Sequence, residues 1–516
     1  MKRHRLLLLA FIIGIASVSQ AQTDTLVVGT KIDGSELKAQ CYTFPQRVET
    51  FHASKQGDYL CVSFRETTKN KKYLKNKGEI GFYDTKESKL LWKQPIDYSK
   101  SNITCLSEGV LLEERGHGIS LLGKETGVKR WETDVYPIYV DDSLGLMLAY
   151  KSITSSKLQG ISLRFGNKLW ETKIPHEYGW NEVVDAGSDK RLIVADELHK
   201  LDIVTGELLS YDGKPGAHDT KAALLQGLAA VAGGVLSTAV TGGMGYYYVP
   251  VASNTITGLT SNILLQESHY YWADRQQISC IDTTFNVVWQ KEFPVKGTRS
   301  QLFMQDDKLY MLNYGYGLRE GGSRRKYGRP FIACYDPQSG EELFFNRLSV
   351  RKDIIEDALC TDDALFMLFD DGMAYQELTD SVVSIVPWNT ELHGKLQSIL
   401  PPTLYAISED STAFRSLVYD GEHCLVYNER GVVYEVDKEL KISNSYNRER
   451  IYSSVIELKD YLCVSNGSDH WFIHKVGMPV AHLSIDFKKG RVIGNKLLLL
   501  NDKNQFLFID LDEAIE

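Results

Sequence analysis

The chain has 516 residues, 43% hydrophobic and 24% charged, with 58 basic against 67 acidic side chains. That apolar content excludes a wholly disordered chain, and a net charge of −9 gives no basis for nucleic-acid binding, which needs concentrated Lys and Arg. The length suits two to four ordinary domains or one large repeat architecture.

The first predicted element is a targeting segment. Residues 2–5 read Lys-Arg-His-Arg, Leu6 to Ala16 are an apolar run, and Ser19-Gln20-Ala21 is a small-x-small site. This order predicts a secretory signal peptide over 1–21 and a mature chain over 22–516. The apolar run is too short to cross about 30 Å of hydrocarbon as a helix. No cysteine stands at the cut, so the product is expected to cross the inner membrane without lipidation. It should work in the periplasm or outside the cell.

A repeat follows. "YDTKESKLLW" ends at Trp92, "LGKETGVKRW" at Trp131 and "LRFGNKLW" at Trp170, each 39 residues after the last. The next copy, "LDIVTGELLS", has Ser210 in the Trp position. In each unit an apolar β-run ends in a turn with Asp, Ser, Thr or Gly, and a strand carrying the large ring leaves. A flat ring there can fill the wedge between neighbouring sheets, which assigns Trp92, Trp131, Trp170 and Trp289 to blade packing. A period near 40 in a strand-rich chain predicts an all-β propeller of four-stranded blades, eight as the central expectation within seven to ten.

Residues 215–262 break the period. Residues 222–266 carry no charged side chain, and the stretch after Thr220 is rich in Ala, Gly, Leu and Val. It is expected to be helical, with Leu224, Leu228, Val231 and Val235 on one face. Three readings stay open: packing onto the propeller, docking a partner or second copy, and membrane contact through 222–243. The repeat resumes at Trp289, and "REGGSRRKYGR" then gathers Arg319, Arg324, Arg325, Lys326 and Arg329. That run is either a solvated hairpin or a contact for an acidic partner or lipid headgroup. Later copies, from Phe344 onward, are degenerate. "TLVVGTKI" at 25–32 and "FLFIDL" at 506–511 are expected to complete one blade and close the ring.

The pattern Ala-x-Asp-x-x-x-Gly-x-x-x-Trp resembles the repeat of the pyrroloquinoline-quinone-like, quinoprotein alcohol dehydrogenase-like β-propeller superfamily, well over 55–350 and loosely beyond. The resemblance implies the fold, and for an enzyme it would also imply quinone and calcium on the axis beneath two adjacent cysteines. No two of the eight cysteines are adjacent. Their positions at equivalent sites of different units predict mostly free, buried thiols. His-Glu-x-x-His, Gly-x-Ser-x-Gly and Gly-Lys-Ser/Thr motifs are missing. His176-Glu177 reads as a loop pair rather than a metal site. No catalytic residue, metal site or cofactor is therefore assigned.

The favoured expectation is a non-catalytic scaffold for protein–protein interaction at the cell envelope, with other envelope proteins as partners. It is similar in kind to the propeller lipoprotein of the outer-membrane barrel-assembly machinery, but without that relative's N-terminal cysteine. The alternatives are a quinone- or metal-dependent enzyme and a ligand- or carbohydrate-binding propeller.

Overall fold

The second and third strands of each repeat are apolar at nearly every position, as in Leu146–Tyr150 (LMLAY), Phe331–Tyr335 (FIACY) and Ala364–Leu368 (ALFML), and all three are buried throughout. A strand of that kind needs cover on both faces. Fourth strands such as Val287–Glu292 are largely exposed and close each sheet with a polar rim. Stacked sheets meet both demands, because the blades before and after bury the two faces of each one. The computed structural model describes residues 23–115, 118–218, 249, 251–252, 254–348, 354–361, 364–370, 372–378, 383–400, 404–408, 413–417, 423–457 and 460–512. The predicted signal peptide, and the insertion residues Leu224, Leu228, Val231 and Val235, lie outside them.

Ten four-stranded antiparallel units are present among the described residues. Eight stand as separate sheets: blade 1 at 48–97, blade 2 at 101–133, blade 3 at 136–173, blade 4 at 182–211, blade 5 at 264–292, blade 6 at 300–347, blade 7 at 357–387 and blade 8 at 396–447. Blade 9, at 451–483, and blade 10 are joined in an eleven-stranded sheet. The expectation of eight blades thus resolves at ten, the upper end of its range.

The ring closes on itself. Blade 10 is built from Phe487–Ile493, Lys496–Asn501 and Gln505–Asp510, with Glu36–Thr43 as its fourth strand. The closing partner is therefore 36–43, not 25–32. The earlier strand, Thr23–Lys31, pairs back on 36–43 and crosses to Leu483 of blade 9. A shared core links blades 10 and 1 through Phe44, Phe51, Leu498 and Phe506, and another links 9 and 10 through Cys463, Phe472 and Leu499. First strands of neighbouring blades approach one another, at 357–360 with 396–399 and at 451–457 with 487–493, as sheets do where they converge on an axis.

Blades 8 and 9 are the exception to direct stacking. A hairpin, Leu404–Ile407 with Phe414–Ser416, leaves blade 8 and pairs on the first strand of blade 9. Leu404 and Ala406 join Leu425 and Val433 of blade 8, while Tyr405 and Phe414 join Leu462 and Val464 of blade 9. The hairpin is a wedge with two apolar faces.

All eight cysteines are free thiols, seven of them buried and Cys360 half-buried. Cys61 and Cys105 meet across blades 1 and 2, and burial pushes the Cys61 thiol well up.

Candidate functional site

Strand direction alternates within every blade, so its connections fall on two faces. First-to-second and third-to-fourth connections emerge on one face, and second-to-third connections and blade-to-blade links on the other. The first face carries tight turns such as 54–58, 85–88 and 203–207. The second carries 65–76, 174–181, 212–263, 314–330 and 388–395. The wedge hairpin leaves from the first face, but its first strand runs towards the second, because Ala406 pairs with Ile451 at the start of the blade 9 strand. The elaborations thus decorate one face of a ring whose other face is plain, and loops on a rigid scaffold are where binding groups are usually carried.

The two surfaces singled out in the sequence meet on that face. The uncharged insertion leaves and returns through a short ribbon, with Ala217 opposite Ile256 and His218 opposite Thr255. The basic segment is a hairpin, Tyr316–Leu318 with Arg324–Lys326. An isolated bridge joins Thr257 to Leu318, with N–H···O bonds of 2.8 and 2.9 Å in the two directions. Ala217, Ile256 and Leu259 are buried together against Tyr327. Gly317 is required there, since a Cβ would lie 2.5 Å from the Ile256 side chain and 2.6 Å from that of Leu259. The neck of the insertion and the basic hairpin are one unit.

Within that unit the basic residues differ. Arg324 pairs with Glu356 and lies over the Tyr316 ring, 5.0 Å from its centroid. Arg319 and Arg325 are half-buried, whereas Lys326 and Arg329 are exposed. Beside the hairpin, links entering blades 4, 5, 6 and 7 enclose a polar cavity of about 560 Å³ with Glu182, Arg299 and Glu356 in its wall. A second cavity of about 290 Å³ shares Glu356 and contains the Asp370–Lys395 ion pair. Burial raises the Glu182 carboxyl to about 7, opposed by a 2.9 Å bond from the Ile263 N–H and by the positive charge of Arg299.

The four tryptophans lie away from this cavity, in the blade interfaces. Each indole donates to a carbonyl of the next blade's last turn: Trp92 to Lys124 at 2.8 Å, Trp131 to Leu163 at 2.8 Å, Trp170 to Ile203 at 3.0 Å and Trp289 to Pro337 at 2.8 Å. The same ring covers the turn glycine there. Gly166, at φ 70°, would place a Cβ 2.5 Å from Trp131. Gly127, Gly206 and Gly340 stand likewise against Trp92, Trp170 and Trp289. The motif's Gly and Trp are therefore partners between successive units rather than within one. His176 packs on Tyr150 with 4.2 Å between ring centroids, and Glu177 faces His218. No cluster of three metal-ligating side chains occurs among the described residues.

Sequence reasoning missed Asn181, Glu182 and Arg299. None belongs to a motif. Their shared signal is position, since each stands at or just before a blade's first strand, where a ring directs residues to its mouth.

The fold and this face define a β-propeller of four-stranded blades with one elaborated face. No family model matches the chain, and no curated protein matches it. Among solved structures it is similar to BamB from Moraxella catarrhalis, at 12% identity over 91% of this chain and 98% of that one, with a TM-score of 0.32. It is also similar to a structure described as the eukaryotic initiation factor, at 9% identity over 94% and 98% with a TM-score of 0.35. A third is the Cps50 (Swd1) β-propeller domain of Myceliophteria thermophila, at 10% identity over 71% and 95% with a TM-score of 0.26. Identities and scores of this size say nothing of what the chain binds.

Proposed function

We propose that the protein is a non-catalytic scaffold of the cell envelope that docks partner proteins on its elaborated face. The observation that carries this reading is the convergence of the basic hairpin with the neck of the uncharged insertion, on the face that bears the long connections. The uncharged composition of 222–266 would offer a partner apolar area, and the exposed Lys326 and Arg329 on the hairpin joined to its neck electrostatic steering. The Trp-on-Gly contact between units supports membership of the quinoprotein-like repeat group. The basic, apolar and small-residue order of 1–21 supports export to the periplasm or beyond.

The test is the native size of the protein in envelope extracts. Wild type is compared with a deletion of 219–248 and with the double variant Lys326→Glu/Arg329→Glu. A complex larger than the monomer is expected for wild type, lost in the deletion and weakened in the charge variant. A wild-type monomer, or a complex that both variants preserve, would contradict the reading.

A further inference from the structure

The cavity between the links entering blades 4 to 7 has the size of an ordinary small-ligand site. Its polar groups are not evenly matched. The Asn181 Oδ1 accepts the Gly258 N–H at 2.9 Å, which fixes the amide and leaves its buried Nδ2 without an acceptor. Gln301 Oε1 accepts the Tyr314 hydroxyl at 2.9 Å, so its NH₂ group is turned away from that bond. Arg299 is exposed to the cavity and makes no ion pair or side-chain hydrogen bond among the described residues.

The acids of the wall are already engaged. Glu356 holds Arg324, Asp357 accepts the N–H groups of Ala358 and Ile399 at 2.9 Å each, and Glu182 accepts from Ile263. What the wall lacks is an acceptor. We propose that this cavity binds a ligand through a carboxylate, clamped by the Arg299 guanidinium and completed by the amides of Asn181 and Gln301.

A bidentate guanidinium–carboxylate pair is the strongest contact such a wall can offer. Two sources share the chemistry: a free acidic sugar, or an acidic side chain of a docked peptide. Glu182 gives the site a pH signature. With a pKa near 7 it donates a hydrogen bond to the incoming carboxylate when protonated and repels it when ionised. The charges facing Glu182 across the cavity are Arg299, Arg324, Glu356 and Asp357, beside the Tyr316 hydroxyl and that of Tyr314, which burial holds near 12. As Glu182 ionises, binding weakens as pH rises through 7.

The experiment is calorimetry on the purified mature chain at pH 6 and pH 8. One arm compares D-glucuronate with D-glucose. The other compares capped Gly-Glu-Gly with capped Gly-Gln-Gly. At pH 6 one acid should bind about tenfold tighter than its neutral counterpart, and about tenfold weaker at pH 8. The arm that responds identifies the source. Arg299→Gln should abolish the preference, while Glu182→Gln should keep it and flatten the pH dependence. Melting curves for both variants separate lost binding from lost fold, and Arg299→Lys supplies a milder second variant that should retain part of the preference. No preference for either acid, a preference that survives Arg299→Gln, or binding that strengthens with pH would overturn the proposal. The probes are small and the protein is alone, so the result is independent of whether a partner docks on the face.

Discussion

Blades 1 to 6 and blades 7 to 10 solve the same packing problem by different means. In the first group the Trp of blades 1, 2, 3 and 5 locks its indole onto the turn of the following blade, a contact spanning 32 residues from Trp92 to Lys124 and 32 from Trp131 to Leu163, whereas blades 4 and 6 carry Ser210 and Phe344 in that position. In the second group that contact is replaced. The wedge hairpin fills the gap between blades 8 and 9, and the N-terminal strands seal blade 10 from the other end of the chain. The bond from the Val48 N–H to Asn504 Oδ1, at 3.0 Å, joins residues 456 apart in sequence. Four blade-to-blade contacts are thus held by local clasps, and the seam at blade 10 by closure. The second kind exists only once both chain ends are in place, and closing long loops is the slow step in folding.

The sharpest way to break this comparison is to remove the closure. Deleting residues 23–43 strips blade 10 of its fourth strand and exposes its apolar edge. The expected result is loss of the cooperative thermal transition, with aggregation. A single-site version is Phe506→Ala. Phe506 is fully buried against Phe44, Phe51 and Tyr83, with ring centroids 4.9, 5.4 and 5.5 Å away. A cost of about 3–5 kcal/mol is expected by denaturant titration. A loss below about 1 kcal/mol would mean that closure contributes little.

Acid sensitivity separates a different pair of elements. His199 of blade 4 is buried, with Nδ1 2.7 Å from Ser210 Oγ and Nε2 without a partner, and burial lowers its pKa to about 4. The unfolded chain takes up its proton near 6.5, so stability is full above that pH. It falls as pH drops from 6.5 to 4, by on the order of 3 kcal/mol. His199→Gln should flatten that limb. Glu182 acts in the opposite sense, since its raised pKa makes stability fall as pH rises from the usual carboxylate range towards 7. Melting temperatures from pH 4 to 8 for each variant resolve the two.

The clasps themselves are tested by glycines. Gly166→Ala adds a left-handed strain and a collision with Trp131, whereas Gly431→Ala adds only the strain, since its φ is 79° and nothing lies within 4 Å of the new Cβ. The first should cost about 2 kcal/mol more than the second. Equal costs would deny the clasp. Smallest of all, Lys129→Ala removes a surface pair with Glu132 at 2.9 Å and should change stability by less than about 0.5 kcal/mol.

Legibility in the sequence follows the same division. The blades with Trp92, Trp131, Trp170 and Trp289 were visible because a local contact between successive units needs the same residues at the same spacing each time. Blade 9 lacks that contact, and with Ala481 in the register of the Trp position it reads only as a weak copy at 476–482, although the strand bulge at Phe472/Ile473 persists. The strand that closes the ring was misplaced by one hairpin, because 25–32 and 36–43 have similar apolar content and only the pairing with 505–508 distinguishes them. The site was less legible still. The basic hairpin and the uncharged insertion each stood out by composition, but nothing in the sequence says that Thr257 meets Leu318. Arg299 and Glu182 are ordinary residues until the ring brings them to one mouth.

The central claim is that one face of the ring does the binding, and photo-cross-linking along both faces in the living cell tests it most directly. Benzoylphenylalanine is placed in turn at Lys326, Arg329 and Tyr73 on the elaborated face, and at Glu87, Phe165 and Val204 on the plain one. The account predicts discrete cross-linked partners from the first set and none from the second. Partners captured from the plain face, or equally from both, would contradict it.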